Sequence, residues 1–185
     1  MKGIFVEKEI KYDGSQLSSH FAYKNFKIAG DSIVGFIGPV EVKLTEMVDI
    51  EDVINNEPIS SDKMLNFIIE VFGFEIKGLV ALQRLFINII KETIESINPD
   101  IKISRKGDDL YYRGKKLSVS IATLSPVSGL IHTALNIVNT GCPIEVSSLE
   151  EMKLDSKEVA QKVIDNFVKE YEEIKFASVK VNWVK

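Results

Sequence analysis

The chain has 185 residues, 45% of them hydrophobic and 27% charged, which excludes an intrinsically disordered chain and allows a folded core without staples. Its 23 Lys and Arg against 27 Asp and Glu leave a formal charge of −4, and its longest basic cluster is Arg113-Gly114-Lys115-Lys116, so broad nucleic-acid binding by phosphate neutralisation is not expected. One cysteine, Cys142, rules out an internal disulfide framework, and with no apolar signal region after Met1 and no apolar run approaching ~18 residues, a cytoplasmic, non-membrane chain forming one domain over 1–185 is expected.

In chain order, residues 2–12 read as extended and close at the turn signal Tyr12-Asp13-Gly14. Ser15 to Phe26 reads as a short helix or loop. Ser32 to Val42 predicts a strand with a kink or bulge at Gly38-Pro39. Residues 44–60 read as loop with one helical turn at Asp49 to Ile54. Met64 to Phe72 is a mostly apolar run whose length and Phe, Ile and Val content predict a buried strand. Gly78 to Ile97 predicts the clearest helix, with Leu82, Leu85, Phe86, Ile89, Ile90 and Ile97 at helical spacing. Asn98-Pro99-Asp100 ends it.

Strands are expected at Ile101 to Arg105, Leu110 to Tyr112, Leu117 to Thr123 and Leu130 to Val138, with a turn at Arg113-Gly114. A loop through Gly141-Cys142-Pro143 leads to a second amphipathic helix over 156–175. Asp155 is its expected N-cap, with Glu158 at capping-box spacing. Val159, Val163, Phe167 and Ile174 form its predicted buried stripe. Ser178 to Val184, with Trp183, reads as a closing strand. Grouped strands separated by two long helices predict an α+β fold with a mostly antiparallel mixed sheet. An accessible sheet edge needs covering, which leaves a homodimer open.

The chemistry is expected around Lys116. Alternation places Leu117, Val119 and Ile121 on one strand face and Lys116, Ser118, Ser120 and Ala122 on the other. In the next strand His132, Ala134, Asn136 and Val138 share a face. If the strands pair through the loop Leu124 to Gly129, the two small, polar faces can coincide, and Lys116, Ser118, Ser120, His132 and Asn136 would line one patch for a small ligand. A cation there could meet a carboxylate or phosphate. The plainer alternative is a half-solvated strand with a structural His132.

The run Asp109-Leu110-Tyr111-Tyr112-Arg113-Gly114-Lys115-Lys116-Leu117 resembles the biotin protein ligase pattern Asn-Asp-Leu/Ile-Tyr…Gly-Arg/Lys-Lys-Leu/Ile, with Asp108 where that family often has Asn. Lys116-Leu117-Ser118, followed by His132-Thr133-Ala134-Leu135-Asn136-Ile137, resembles the octanoyl and lipoyl transferases, which read Lys-Ile/Leu-Ala and then His-Gly-x-Ala-Leu-Asn-Val/Ile. This resemblance covers roughly 105–138. End to end, through Tyr12 to Leu17, Gly107 to Leu110 and Lys116 to Thr123, the chain resembles a mainly archaeal domain-of-unknown-function family of that superfamily.

The resemblance implies a biotin/lipoate ligase-like, class II synthetase-like fold and a transferase or ligase acting on a small carboxylate. It implies Lys116 at the acyl carboxylate or acyl-adenylate, where a cation favours developing negative charge. Asp109 would support substrate, nucleotide or the lysine. ATP or an acyl donor would be the co-substrate. The Gly/Arg-rich adenylate loop of biotin ligases and the Arg-Arg-x-Gly-Gly-Gly segment of lipoate ligases are both absent upstream. The segment nearest in position is Asp13 to His20, which makes Ser15, Gln16 and His20 candidate ligand contacts. Octanoyl transferases carry a cysteine nucleophile in a Pro-Cys-Gly context further along. Cys142 stands in Gly-Cys-Pro six residues after Asn136, and its ordinary reading is a small loop residue.

Asp49, Glu51 and Asp52 lack EF-hand spacing and read as a solvated acidic turn, and two His with one Cys give no zinc spacing, so no metal is expected. Arg84 reads as a surface residue within reach of a phosphate, and Arg105 as a partner for Asp108 or Asp109. Three functions stay open: an acyl- or adenylate-transferring enzyme, a non-catalytic ligand- or nucleotide-binding module, and an interaction scaffold that kept the fold.

Overall fold

A computed structural model describes residues 1–56 and 58–184. The strands are β1 (Lys2–Val6), β2 (Ser32–Val42), β3 (Ile59–Val71), β4 (Ile103–Lys106), β5 (Asp109–Tyr112), β6 (Lys115–Lys116), β7 (Ser118–Leu124) and β8 (Gly129–Asn136). The helices are α1 (Phe21–Phe26), α2 (Ile50–Asn55), α3 (Ile76–Ile97) and α4 (Ser156–Val179), with one 3₁₀ turn at Leu44–Glu46. β1, β2, β3, β8 and β7 form a five-stranded sheet in that order, and β4, β5 and β6 form a three-stranded one. Among the described strands the β1–β2 pairing is parallel and the other strand pairings are antiparallel. The fold is α+β with a mainly antiparallel sheet.

β2 and β3 are buried on both faces, which is why they read as continuous apolar runs. Ile33, Leu65, Phe67, Ile69, Ile131 and Leu135 face α3 and α4. Between those helices the Phe86 and Phe167 rings meet edge-on at 4.7 Å. Val34, Phe36, Met64, Ile68 and Ala134 face the other way, onto Tyr12, Phe21 and Ala22. The register of β2 on β3 shifts between Gly38 and Val40, at the expected bulge. Gly38 is required there. The Ile10 to Tyr12 backbone crosses against it, with Ile10 N donating to the Ile37 carbonyl (3.0 Å) and Tyr12 N to that of Pro39 (2.9 Å). A Cβ on Gly38 would collide with the Ile10 carbonyl.

Several expectations are corrected. β1 stops at Val6, and beyond it only Tyr12 makes a bridge, to Val40. β3 begins at Ile59, inside the segment expected as loop, because its polar start pairs with the end of β2. The strand expected over Leu117 to Thr123 is β7, one residue along, with Leu117 between the small sheet and the large one. Ser178 to Val184 is not a strand. α4 runs through Val179, and among the described residues no strand pairs with 181–184, which leaves Trp183 88% exposed. Alternating apolar residues become a strand only where a neighbouring backbone accepts the ladder. Ile174 is 40% exposed, and Tyr171 closes the buried stripe of α4 instead.

The Asp155 side chain accepts from Glu158 N at 2.8 Å, as the capping spacing predicts. Among the described residues no helix is long and apolar enough to cross a membrane. Two stability outcomes follow from this geometry. Asp155→Ala should cost about 1 kcal/mol through loss of the cap. Gly38→Ala should cost on the order of 2 kcal/mol through overpacking against backbone. Urea unfolding of both variants checks the order, and a Gly38→Ala protein as stable as the parent would contradict the close approach.

Candidate functional site

β7 forms one edge of the large sheet and β8 lies inside it. Their register sets Ile121 against His132, Val119 against Ala134, Ser120 against Thr133 and Ser118 against Leu135. Even-numbered residues of β7 therefore face odd-numbered residues of β8. His132 and Asn136 share a face with Val119 and Ile121, while Ser118 and Ser120 point to the helix side. The expected single polar patch is thus divided between two faces, because the turn at 125–128 fixes the register and a one-residue step reverses every side chain.

A cavity of about 530 Å³ lies against the first face and wraps the β7 edge. Residues 46–49, 51–52, 56 and 58–60 and the loop Cys142 to Val146 supply its other walls. Leu17, Met47, Val48, Val119, Ile121 and Ile144 make its apolar lining. Lys116, Asp109, Ser118, Ser120, His132 and Asn136 all touch it, together with Asp108 and Cys142. Ser15, Gln16 and His20 do not line it. Ser15 and Gln16 tie their own loop, through Ser15 Oγ to Asp13 (2.6 Å) and Gln16 Nε2 to the Lys11 carbonyl (3.1 Å). His20 is exposed, its ring is stacked 5.9 Å from Phe72, and its backbone N–H donates to the buried Glu70 carboxylate. Of that segment Leu17 lines the cavity, and the rest of this wall comes from residues 46–49, 51–52, 56 and 58–60.

Lys116 Nζ sits 3.1 Å from Asp109 Oδ1, with the two side chains about one-third and one-quarter exposed (32% and 26%). Asp108 Oδ1 accepts from Arg84 Nη1 at 2.7 Å, and its Oδ2 accepts from Gln83 Nε2 at 2.9 Å. Partial burial raises the Asp108 carboxyl above the ordinary carboxylate range, while Arg84 opposes the rise. Arg84 therefore meets an acid rather than open solvent. Arg105 donates to the Gly107 carbonyl at 2.6 Å instead of to either acid. Ser118 Oγ accepts from Leu110 N, and Ser120 Oγ accepts from Gln83 Nε2, both at 2.9 Å. These two serines join the small sheet and α3 to β7.

His132 is 4% exposed. Its ring stacks on Tyr12 with centroids 3.7 Å apart, and its Nε2 lies 3.1 Å from Asn66 Oδ1. Burial lowers its pKa from 6.5 to about 3, so the imidazole is neutral. Burial likewise pushes the Tyr12 phenol upward. Asn136 donates to the Ser147 carbonyl at 3.2 Å, and Cys142 Sγ lies 3.9 Å from Asn136 Oδ1. Both residues brace the loop that closes the cavity.

Segment 44–60 is the part of the site that periodicity did not reveal. Glu46, Asp49, Glu51 and Asp52 stand in the wall; Asp49, Glu51 and Asp52 keep the solvent exposure expected of them and border the cavity as well. Asp49 caps α2 by accepting from Glu51 N at 2.9 Å. The acid-rich stretch beside Met47 and Val48 was the available signal, but only the fold carries it opposite Lys116. With Asp108 and Asp109, six carboxylates among the described residues share the wall with Lys116. Among the described residues no three His, Cys, Asp or Glu converge as a metal site.

Comparison with known proteins places this geometry in a family. The family model described as a domain of unknown function, DUF366, matches residues 1–182. An uncharacterised protein of Methanocaldococcus jannaschii is 38% identical over 181 residues, covering 94% of this chain and 81% of that protein. A protein of unknown function from Pyrococcus horikoshi has a solved structure that superimposes with TM-score 0.94 at 42% identity, covering all of both chains. Biotin protein ligase from Aquifex aeolicus, in complex with biotin and ATP, matches with TM-score 0.63 at 18% identity over 94% of this chain and 72% of the other. A T. acidophilum protein with bound lipoic acid matches with TM-score 0.60 at 14% identity, over 91% and 86%. At those identities the last two show the fold.

The buried imidazole has a measurable consequence. Above pH ~6.5 His132 is neutral whether the chain is folded or unfolded. Below it the unfolded chain binds a proton that the native site refuses, so stability falls as pH drops toward 3, by about 1.4 kcal/mol per pH unit. Urea titrations between pH 7 and 4 should show this slope in the parent and a shallower one in His132→Gln. Equal slopes would contradict the buried neutral imidazole.

Proposed function

The chain belongs to the DUF366 family, and we propose that its cavity is a small-molecule binding site with the Lys116–Asp109 pair as polar anchor. The observation that carries this reading is that pair, 3.1 Å apart and partly exposed, at the wall of a cavity of about 530 Å³ that is otherwise substantially apolar. A concave space with apolar walls and convergent polar groups is the usual form of a ligand site. A ligand can lay an apolar body along Leu17, Met47, Val119 and Ile121 and direct its polar end to Lys116 and Asp109. Biotin and lipoic acid, bound by the two ligase-fold structures, have this form, a short apolar body ending in a carboxylate.

The wall does not suit a nucleotide triphosphate. Lys116 is already ion-paired with Asp109, and further carboxylates line the same cavity, a wall whose charge disfavours a polyanion. No Gly/Arg-rich loop precedes the site. A non-catalytic binding module is therefore the first reading. The second is acyl transfer to or from a small carboxylate, favoured by the placement of Lys116 in the cavity wall, where a cation would stabilise charge developing on an acyl oxygen.

Thermal-shift titration with biotin, lipoate, octanoate, acyl-CoAs, nucleosides and ATP with and without magnesium separates these readings. A bound ligand should raise the melting temperature, and the shift should keep growing with the logarithm of ligand concentration beyond saturation. Lys116→Ala should weaken that ligand about tenfold or more, the loss of one charge-assisted contact. An unchanged shift removes Lys116 as the anchor. Carboxylate-dependent ATP–pyrophosphate exchange would replace the binding-module reading with an adenylating enzyme.

A further inference from the structure

His132 and Tyr12 are 4% and 3% exposed, and both line the cavity. The Asn66 amide fixes the state of the imidazole. Asn66 Nδ2 donates to the Met64 carbonyl at 3.1 Å, so the atom that meets His132 Nε2, also at 3.1 Å, is Oδ1. An amide oxygen only accepts. Nε2 therefore carries the proton of the neutral ring, and Nδ1 is a bare lone pair. Neither this Nδ1 nor the Tyr12 phenol oxygen has a hydrogen-bond partner among the described residues. The side-chain atoms sealed from solvent without a partner are the Ser32 and Ser61 hydroxyls. The ring nitrogen and the phenol oxygen thus open onto space, and the space both residues border is the cavity.

The two rings are stacked 3.7 Å apart, which sets an acceptor beside a donor. Burial pushes the Tyr12 phenol upward, so it keeps its proton and donates. Buried polar atoms are costly unless paired, and a plain alkyl ligand would leave both of these unpaired. A carboxylate suits the phenol but sets its own lone pairs against that of Nδ1. A carboxamide satisfies both, its carbonyl accepting from Tyr12 and its N–H donating to His132.

We infer that the ligand is an elongated acid amide, with its carboxylate at Lys116 and its carboxamide read by Tyr12 and His132. This rests on the small-molecule reading of the cavity and names the class of ligand. The strands set the span. Asn136 N donates at 3.0 Å to the carbonyl of Leu117, beside Lys116. His132 lies four residues back along β8, about 13 Å away. Val119 and Ile121 line the cavity along this stretch, which suits a methylene chain.

Calorimetric titration with the monoamides and monomethyl esters of octanedioic to dodecanedioic acids, beside the plain fatty acids, tests the inference. At the best chain length the amide should bind at least about tenfold more tightly than the ester, which lacks the N–H, and than the fatty acid. Tyr12→Phe removes a hydroxyl without a partner in the fold. It should keep the melting temperature, weaken the amide about tenfold and leave the fatty acid unaffected. Nitrogen NMR should show His132 as the Nε2–H tautomer, with Nδ1 moving upfield when the amide binds but not when the ester does. Amide, ester and fatty acid bound alike, and all lost in Lys116→Ala, would overturn this inference and keep the Lys116 site. Amide binding that needs Tyr12 but not Lys116 would overturn the placement of the carboxylate together with the Lys116 anchor. An Nδ1–H tautomer overturns the inference whatever binds. Binding by no member of the series overturns it as well, and the wider thermal-shift panel then judges the cavity itself.

Discussion

The structure is organised by the burial of β3 on both faces. Leu65, Phe67 and Ile69 face α3 and α4, while Met64 and Ile68 face the N-terminal segment. A strand apolar on both sides is stable only with a layer on each, so the helices must sit on one face and Tyr12 to Phe26 on the other. Asn66 lies fully buried on the N-terminal face, where an unpaired amide would cost ~1–3 kcal/mol. Its Nδ2 donates to the Met64 carbonyl, and its Oδ1 is met by His132 Nε2. Tyr12 then covers the imidazole. The cavity begins where this layer stops, so its floor is a consequence of how the core satisfies a buried polar strand.

Helix packing controls the charges above that floor. Gln83 and Arg84 stand on α3 next to the buried Leu82 and Phe86. Docking α3 on the sheet therefore brings their polar ends to Asp108. With Asp108 held by Arg84, Asp109 turns to Lys116. The tight turn at Gly107, with φ of 66°, lets the Arg84 guanidinium approach the backbone. The Lys116–Asp109 anchor thus depends on a helix distant in sequence. Among the described residues the cavity wall holds six carboxylates against one lysine.

Features with local causes were legible in the residues alone. The Asp155 cap, the bulge at Gly38-Pro39, the amphipathic face of α3 and the turn at Arg113-Gly114 each depend on neighbours a few positions away. The Asp109 to Lys116 spacing and the His132 to Asn136 strand also carried enough likeness to indicate the ligase fold. The position of Ser118 and Ser120 relative to His132 was not legible. It depends on strand register, which the turn at 125–128 fixes and which reverses with a single step. Asp49, Glu51 and Asp52 read as a solvated turn because nothing nearby in sequence shows what they will face.

By itself the sequence determined the fold class and most of the strands and helices, because periodicity, caps and turn chemistry act over a few residues. Only the tertiary structure decided that His132 is a stacked, neutral imidazole rather than an open side chain, that Ser15, Gln16 and His20 stay outside the cavity, and that 178–184 forms no strand. Each of those outcomes depends on which backbone or ring lies opposite, and the residues opposite are far away along the chain.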